Sequence, residues 1–300
     1  MRIVIGTRGS KLALAQAEWV AERLRELGAE TSLSVIRTSG DRQTSAPAEA
    51  GPGVFVKEIE EALLRGEVSL AVHSLKDLPT GPREGLEIAA VPGREDPSDA
   101  LVTRDGVRLS DLASGTRVGT GSIRRAAQLR ACRPDLVFAP VRGNVNTRLR
   151  KLEQGDFEGL VLASAGLIRL GMAARITERL AFDICLPAPG QGALALQVRA
   201  DDDATQSLVA QLDHAPSRTA VTAERAFLEQ LGGGCAVPVG ALAAVNGDRV
   251  VLDGVVGGRE GDRLLRDRVV GSATAPEAVG VALAERLLSR GADRFVRAEC

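Results

Sequence analysis

Arg2-Ile3-Val4-Ile5-Gly6-Thr7-Arg8-Gly9-Ser10, followed by Leu12-Ala13-Leu14-Ala15-Gln16-Ala17, is the stretch that decides the fold. Residues 2 to 6 read as a short buried strand. Ala13, Ala17, Val20, Leu24 and Leu27 then recur at three-and-four spacing up to Gly28, the period of an amphipathic helix. Thr7, Arg8 and Ser10 fall in the turn between them, where exposed helix amides and the helix dipole favour an anion. Counting from Gly6 to Gly119, 113 residues on, Val118-Gly119-Thr120-Gly121-Ser122-Ile123-Arg124-Arg125 repeats the pattern ahead of another helical run. Two halves with similar anion-facing turns are expected.

Between these turns, the strand Val68 to Val72 ends in His73-Ser74-Leu75-Lys76-Asp77, and Leu160 to Leu162 ends in Ala163-Ser164-Ala165-Gly166. In open α/β sheets, ligands sit beyond the carboxyl ends of the strands, where these polar residues fall. Strands alternate with helices to about residue 212. From Ala236 the texture changes to β-like runs, Val237 to Ala244, Arg249 to Val256 and Leu264 to Val270, and one amphipathic helix, Pro276 to Ser289. That predicts a third, α+β unit. Gly192 to Val198 reads as a strand returning to the first half, which makes the first domain discontinuous.

The composition narrows the function classes. At 300 residues, 44% hydrophobic and 26% charged, the chain has enough apolar surface for two or three cores. Thirty-eight basic against 39 acidic residues leave no global field for polyanions, and 6 Phe, 1 Trp and no Tyr leave no stacking platform for single strands. No nucleic-acid partner is expected. No apolar run approaches a membrane span and the start carries no leader-like pattern, so the expectation is a cytoplasmic protein without a membrane partner. Cys132, Cys185, Cys235 and Cys300 form no CxxC, and His73 and His214 are the only histidines, so no metal site is expected. The common nucleotide-binding and serine-hydrolase motifs do not occur.

From Arg117 to Arg150 there are eight arginines (117, 124, 125, 130, 133, 142, 148 and 150) against Asp135, a local net charge of +7. A GC-rich genome accounts for 34 Arg against 4 Lys, but not for the missing acids. Arg124-Arg125 at a helix start, and Arg142 and Arg148 flanking Gly143-Asn144, suit carboxylates or phosphates, which arginine grips bidentately. Asp77 beside Lys76 reads either as a structural salt bridge or as a catalytic carboxylate. Cys235, in Gly232-Gly233-Gly234-Cys235-Ala236-Val237-Pro238, reads either as a buried inert thiol or as a thiol presented on a glycine arm for covalent tethering.

Nine motifs in order resemble one family. Besides Ile5 to Ala17 they are Phe55-Val56-Lys57-Glu58-Ile59-Glu60, Ala71-Val72-His73-Ser74-Leu75-Lys76-Asp77-Leu78-Pro79, Arg94-Glu95-Asp96-Pro97, Gly119 to Arg125, Arg142-Gly143-Asn144-Val145-Asn146-Thr147-Arg148-Leu149, Ala165 to Gly171, Leu186 to Gly192 and Glu224 to Gly240. Together they resemble the porphobilinogen deaminase (hydroxymethylbilane synthase) family. The resemblance implies an α/β protein with two periplasmic-binding-protein-like domains around a cleft plus a C-terminal α+β domain: 1–92 with 193–212, 98–186, and 215–300. It implies a transferase of tetrapyrrole and haem biosynthesis. Such an enzyme condenses four porphobilinogen units on a dipyrromethane cofactor attached to Cys235, loses ammonia at each step and releases 1-hydroxymethylbilane.

The same resemblance assigns residues. Asp77 is the catalytic acid, assisting departure of ammonia and stabilising a cationic azafulvene-like intermediate. Arg8, Arg124, Arg125, Arg142, Arg148 and Arg169 line the cleft. Ser10, Ser74, Lys76, Thr120 and Ser122 hydrogen-bond the acids of cofactor and substrate, and Phe55 and Gln191 lie at the substrate. No metal is implied, and the expected state is a monomer. Ala48 and Pro52 stand where lysines are usual, and Gly121 replaces a frequent hydroxyl residue, so Ser39 to Gly53 is expected to act as a lid through water exclusion and Arg42. The alternative from a different class is a non-catalytic anion-binding protein of the same two-lobed fold.

Overall fold

The computed structural model describes residues 1–38, 56–81, 83–232 and 238–296. The expectations for Ser39 to Gly53 with Arg42, for Phe55 and for Cys235 lie outside the described residues. The chain forms two compact units, Met1–Glu95 with Ala193–Arg218, and Asp96–Gly192 with Thr219–Cys300.

The first unit begins with β1 (Arg2–Arg8), α1 (Lys11–Glu26) and β2 (Glu30–Ile36), and continues through α2 (Lys57–Leu64), β3 (Leu70–Ser74) and β4 (Leu86–Ala90). The second contributes β5 (Asp99–Thr103), β6 (Arg117–Gly119), α3 (Ile123–Cys132), β7 (Val137–Ala139), α4 (Val145–Glu153), β8 (Gly159–Ala163), α5 (Ser164–Arg169) and the two-residue β9 (Glu178–Arg179). The chain then returns to the first unit as β10 (Leu194–Arg199) and α6 (Asp203–Val209).

The two sheets have the same plan. In the first the order is β2-β1-β3-β10-β4, and in the second β7-β6-β8-β5-β9. In each, the three strands at one end run parallel and the fourth is antiparallel, contributed by a segment that borders the other unit in sequence. The repeat between Gly6 and Gly119 is therefore a repeat of architecture, with β1 matching β6. The helix after each of these strands starts at a serine cap: Ser10 Oγ accepts from the Ala13 N–H at 3.2 Å, and Ser122 Oγ from the Arg125 N–H at 3.4 Å. Gly119 is needed for packing, since a Cβ there would lie 2.7 Å from Leu160 Cδ2 and 2.9 Å from Phe157 Cδ1.

Apolar periodicity becomes burial. Ala17, Val20, Ala21 and Leu24 of α1 pack against Ile3, Ile5, Leu70, Val72, Leu194 and Leu196 on one sheet face, while Ile59, Ala62 and Leu63 of α2 cover Ala71 and Leu86 on the other. The second sheet is likewise cored on both faces. The same unit carries α7 (Ala215–Gln230) from Thr219 on, an antiparallel sheet β11 (Val239–Asn246), β12 (Arg249–Gly257) and β13 (Leu264–Ser272), and α8 (Pro276–Leu287). These elements have their own core around Phe227, Leu252 and Leu283. Glu224 of α7, 0% exposed, accepts from the Gly190 N–H at 2.7 Å and the Ala243 N–H at 2.8 Å, and so fastens the helix to the 186–192 segment and to β11.

Candidate active site

In the first unit the polar residues beyond the strand ends meet in one pocket of about 70 Å³, lined by Arg8, Ser10, Gln16, His73, Ser74 and Asp77 with apolar wall from Leu12, Val56, Ile59 and Val72. The cap leaves the Ser10 hydroxyl hydrogen available to an acceptor, because only its lone pair is used. Ser74 Oγ is hydrogen-bonded to the Gln16 side chain at 3.0 Å. A single 3-10 turn, Leu75–Asp77, follows β3, its Leu75 N–H donating to the Ala193 carbonyl at 3.0 Å. It delivers Asp77 to the pocket. Asp77 is exposed and makes no hydrogen bond or ion pair among the described residues, so the salt-bridge reading of the Lys76-Asp77 pair does not hold there.

His73 is the buried side of this pocket. Its Nε2 lies 3.0 Å from Gln197 Oε1, and burial lowers its pKa to about 4 against the opposing effect of that hydrogen bond. The unfolded chain takes up this proton near pH 6.5 and the folded chain only near 4, so the unfolded state binds more protons in between. Stability should then fall as pH drops through that window, by roughly 3 kcal/mol at most. Arg8 and Asp77 share the pocket with this ring, and Glu60 lies beyond Gln197. Urea unfolding at pH 7 and pH 4.5 checks this: the loss should shrink in His73→Gln, and an equal loss in both proteins would contradict it.

In the second unit the basic residues fall into a different pattern. Arg124 and Arg125, on the first turn of α3, are each 5% exposed, and both bind Asp99 of β5: Arg124 Nη1 to Oδ2 and Arg125 Nη2 to Oδ1, each at 2.7 Å. Burial alone would push the Asp99 carboxyl up, but the two guanidinium charges outweigh it and hold the pKa well below the usual carboxylate range. Two cations against one anion leave a net positive charge at the head of a helix. Cys185 completes the cluster, donating its S–H to Asp99 at 3.3 Å, and burial with the Asp99 charge pushes its thiol up to about 12. It is an inert thiol at neutral pH.

Gln191, which the resemblance places at the substrate, is 1% exposed; its amide donates to Pro97 O and Asp99 Oδ1, both at 2.8 Å, and its Oε1 faces Arg125 at 3.4 Å. Thr120 is buried and its Oγ1 accepts from the Ser122 N–H at 3.2 Å. Arg148 on α4 bonds back to the Gly143 carbonyl at 2.7 Å, below the Asn144 cap. Burial and the nearby Arg125 charge lower its pKa. A Cβ at Gly121 would stand 2.9 Å from the Val141 carbonyl, too close to fit without a shift, but 3.6 Å from Arg148 Nη2, an ordinary contact. Arg142 is exposed at the Gly143 turn, and Arg169 at the end of α5 donates to the Gly192 carbonyl at 2.7 Å.

The structure thus gathers Arg8, Ser10, Ser74 and Asp77 in one unit, and Thr120, Ser122, Arg124, Arg125 and Arg148 around one turn in the other. Sequence reading missed Asp99, although a carboxylate opening the apolar run Ala100-Leu101-Val102 is a signal for a buried ion pair.

Residues 3–207 match the porphobilinogen deaminase dipyromethane cofactor-binding domain, and residues 218–289 match the porphobilinogen deaminase C-terminal domain. The porphobilinogen deaminase of Desulforudis audaxviator is 53% identical over 298 residues, 98% of this chain and 96% of the relative. That of Pelotomaculum thermopropionicum is 51% identical over 299 residues, with the same coverage, and that of Thermus thermophilus 51% identical over 292 residues, 96% of each. A periplasmic substrate-binding protein from Coxiella burnetii is 14% identical with a TM-score of 0.43, covering 72% of this chain and 93% of that one. Matches that run from residue 3 to residue 289, with half the residues identical over nearly the whole length, make this chain a member of the porphobilinogen deaminase family.

Proposed function

We propose that the chain acts as that family's transferase with Asp77 as the catalytic carboxylate that works on porphobilinogen, because Asp77 is an exposed carboxylate without a partner among the described residues, in a pocket whose polar lining includes Arg8, Ser10 and Ser74. The aminomethyl group is an ammonium at neutral pH; departure of ammonia breaks its C–N bond, the electron pair leaves with nitrogen, and the positive charge passes to the pyrrole. A carboxylate that is not neutralised by the protein stabilises that charge. The hydroxyl of Ser10 and the guanidinium of Arg8 donate to the substrate acids.

Porphobilinogen and the pyrroles made from it carry an acetate and a propionate each, so the chain needs donors in excess of its own acids. The second unit fits a dipyrromethane for this reason: Arg124 and Arg125 retain one positive charge beyond Asp99, Arg148 adds another beside Arg125, and the Ser122 hydroxyl and the α3 amides point the same way. When bound, the dipyrromethane supplies the pyrrole carbon on which the first unit is captured. Gln191 acts through Arg125, whose guanidinium it helps fix. We assign the tether to Cys235, which lies between α7, ending at Gln230, and β11, starting at Val239, with Gly232 at φ +94 opening the arm. The proposed division into 1–92 with 193–212, 98–186 and 215–300, a monomeric state and a cytoplasmic location complete the reading. Among the described residues no helix is long and apolar enough to cross a membrane.

The assay is direct: purified protein with porphobilinogen should release one ammonia per pyrrole consumed and yield a linear tetrapyrrole. Binding of porphobilinogen without ammonia release would overturn the reading. The arginines should also divide by stage. Arg142 sits on the turn into α4 and Arg169 on α5, so Arg142→Ala should deplete early enzyme-bound intermediates while Arg169→His lets partly elongated ones accumulate. Each lost charge-assisted hydrogen bond is worth about 1.5 to 3 kcal/mol. Native mass spectra with the same intermediate distribution in both variants would contradict the division.

A further inference from the structure

A chain of three buried polar side chains runs under the Asp77 pocket and belongs to none of the roles above. His73 of β3, Gln197 of the antiparallel neighbour β10 and Glu60 of α2 are 5%, 4% and 7% exposed. Gln197 Nε2 donates to Glu60 Oε1 at 3.0 Å, and Gln197 Oε1 lies 3.0 Å from His73 Nε2. The order of donors along this chain is fixed by its acidic end. A carboxylate accepts, so the Gln197 amide nitrogen faces Glu60 and its oxygen faces His73. The proton of a neutral His73 must then be on Nε2, and Nδ1 is left as a lone pair.

Among the described residues Nδ1 has no hydrogen-bond partner, and it is not a sealed buried atom left without one, as Thr31 Oγ1 is. It therefore keeps accessible surface, and the space His73 borders is the pocket it shares with Arg8, Ser10, Ser74 and Asp77. The low pKa of the ring, about 4, agrees with an imidazole that is neutral at working pH. We propose that His73 is a further substrate-contacting residue, held by Gln197 and Glu60 in the Nε2–H tautomer so that Nδ1 accepts a hydrogen bond from an N–H of the pyrrole substrate beside Asp77. The inference rests on the reading that the pocket takes porphobilinogen. It adds a neutral acceptor to the charged one: Asp77 answers the charge that develops, while His73 Nδ1 selects for an N–H donor that is there before and after the reaction. Such a contact acts equally on ground and transition states and belongs in KM rather than kcat.

Three substitutions in the holoenzyme separate this role from a structural one. His73→Gln keeps a donor toward Gln197 and loses the δ-position acceptor; His73→Asn keeps a δ-position acceptor and loses the tie; His73→Leu loses both. The expected result is a KM for porphobilinogen raised about tenfold in His73→Gln with kcat little changed, the loss of one good hydrogen bond, and a smaller rise in His73→Asn. A wild-type KM in His73→Gln would overturn the proposal, and so would equal defects in all three. Should the variants fail to fold, the wild-type protein answers alone, because it has only 2 histidines to assign. The 15N resonance of the unprotonated His73 Nδ1 should move when stoichiometric porphobilinogen is added, and an unmoved resonance, or a protonated Nδ1 at pH 7, would overturn the proposal. Ammonia release by the wild-type protein is read in the same samples, so a failed His73 contact is distinguishable from a failed assignment of the substrate.

Discussion

Asp77→Asn should lower kcat by about 10² to 10³ while leaving the affinity for substrate acids nearly unchanged. A carboxylate about 4 Å from a unit positive charge, at an effective dielectric near 20, contributes roughly 4 kcal/mol. That energy is realised only once ammonia has left and the pyrrole is cationic, so its loss falls on the barrier. Asparagine keeps the shape and an acceptor oxygen but not the charge. The fold should be indifferent to the change, because Asp77 is exposed and holds no partner among the described residues. Steady-state kinetics on the folded, cofactor-loaded variant decide: near-normal turnover would remove Asp77 from the chemistry.

Asp99→Asn should cost about 3 to 5 kcal/mol of stability, the usual consequence of removing one partner from a buried ion pair. Against a total of about 5 to 15 kcal/mol, this is a severe loss. The cause is local. Arg124 and Arg125 are both buried, and without the Asp99 charge two guanidiniums face each other next to the Cys185 thiol and the Leu186 carbonyl. The carboxyl pKa is lowered by folding, so its contribution is complete above about pH 4 and is lost as the pH falls below that. Urea unfolding at pH 7 should show a lower midpoint with an unchanged slope. An unchanged midpoint would mean that the arginines do not depend on Asp99.

The parts of the fold legible in the sequence are those in which one short segment carries its own signal. The strand-turn-helix units at Gly6 and Gly119 declare themselves through the apolar run and the helical period that follows it, and the structure adds a serine cap to each helix. The C-terminal runs at Arg249 and Leu264 are likewise strands, short runs rich in Val and Leu as expected of β structure. What was not legible depends on partners far away in sequence. Asp99 meets Arg124 across 25 residues, and His73 meets Gln197 across 124, through a strand that returns from the other half of the chain. Neither pairing has a local pattern. The two-residue β9 is too short for any period to show. Asp77 posed the opposite problem: its neighbour Lys76 made a salt bridge the natural reading, and only the 3-10 turn after β3 separates the two roles.

The site shows the same division. Arginine excess and acid poverty between Arg117 and Arg150 were visible as charge, and anion binding followed from that. Which arginines face a ligand was not visible, because burial of Arg124 and Arg125 is decided by Asp99 and Gln191, contributed by other segments. The consequence is a graded surface: Arg124 and Arg125 are fixed and half-neutralised, Arg148 is held against its own turn, and Arg142 is exposed.

The central claim is that this chain grows a polypyrrole on Cys235, and the intact mass of the denatured protein tests it most directly. The purified protein should be heavier than its sequence by two pyrrole units, and peptide mapping should place the adduct on Cys235 alone. Adding porphobilinogen should produce further species spaced by one pyrrole unit each. A mass equal to that of the sequence, or an adduct on Cys132, Cys185 or Cys300, would contradict the account.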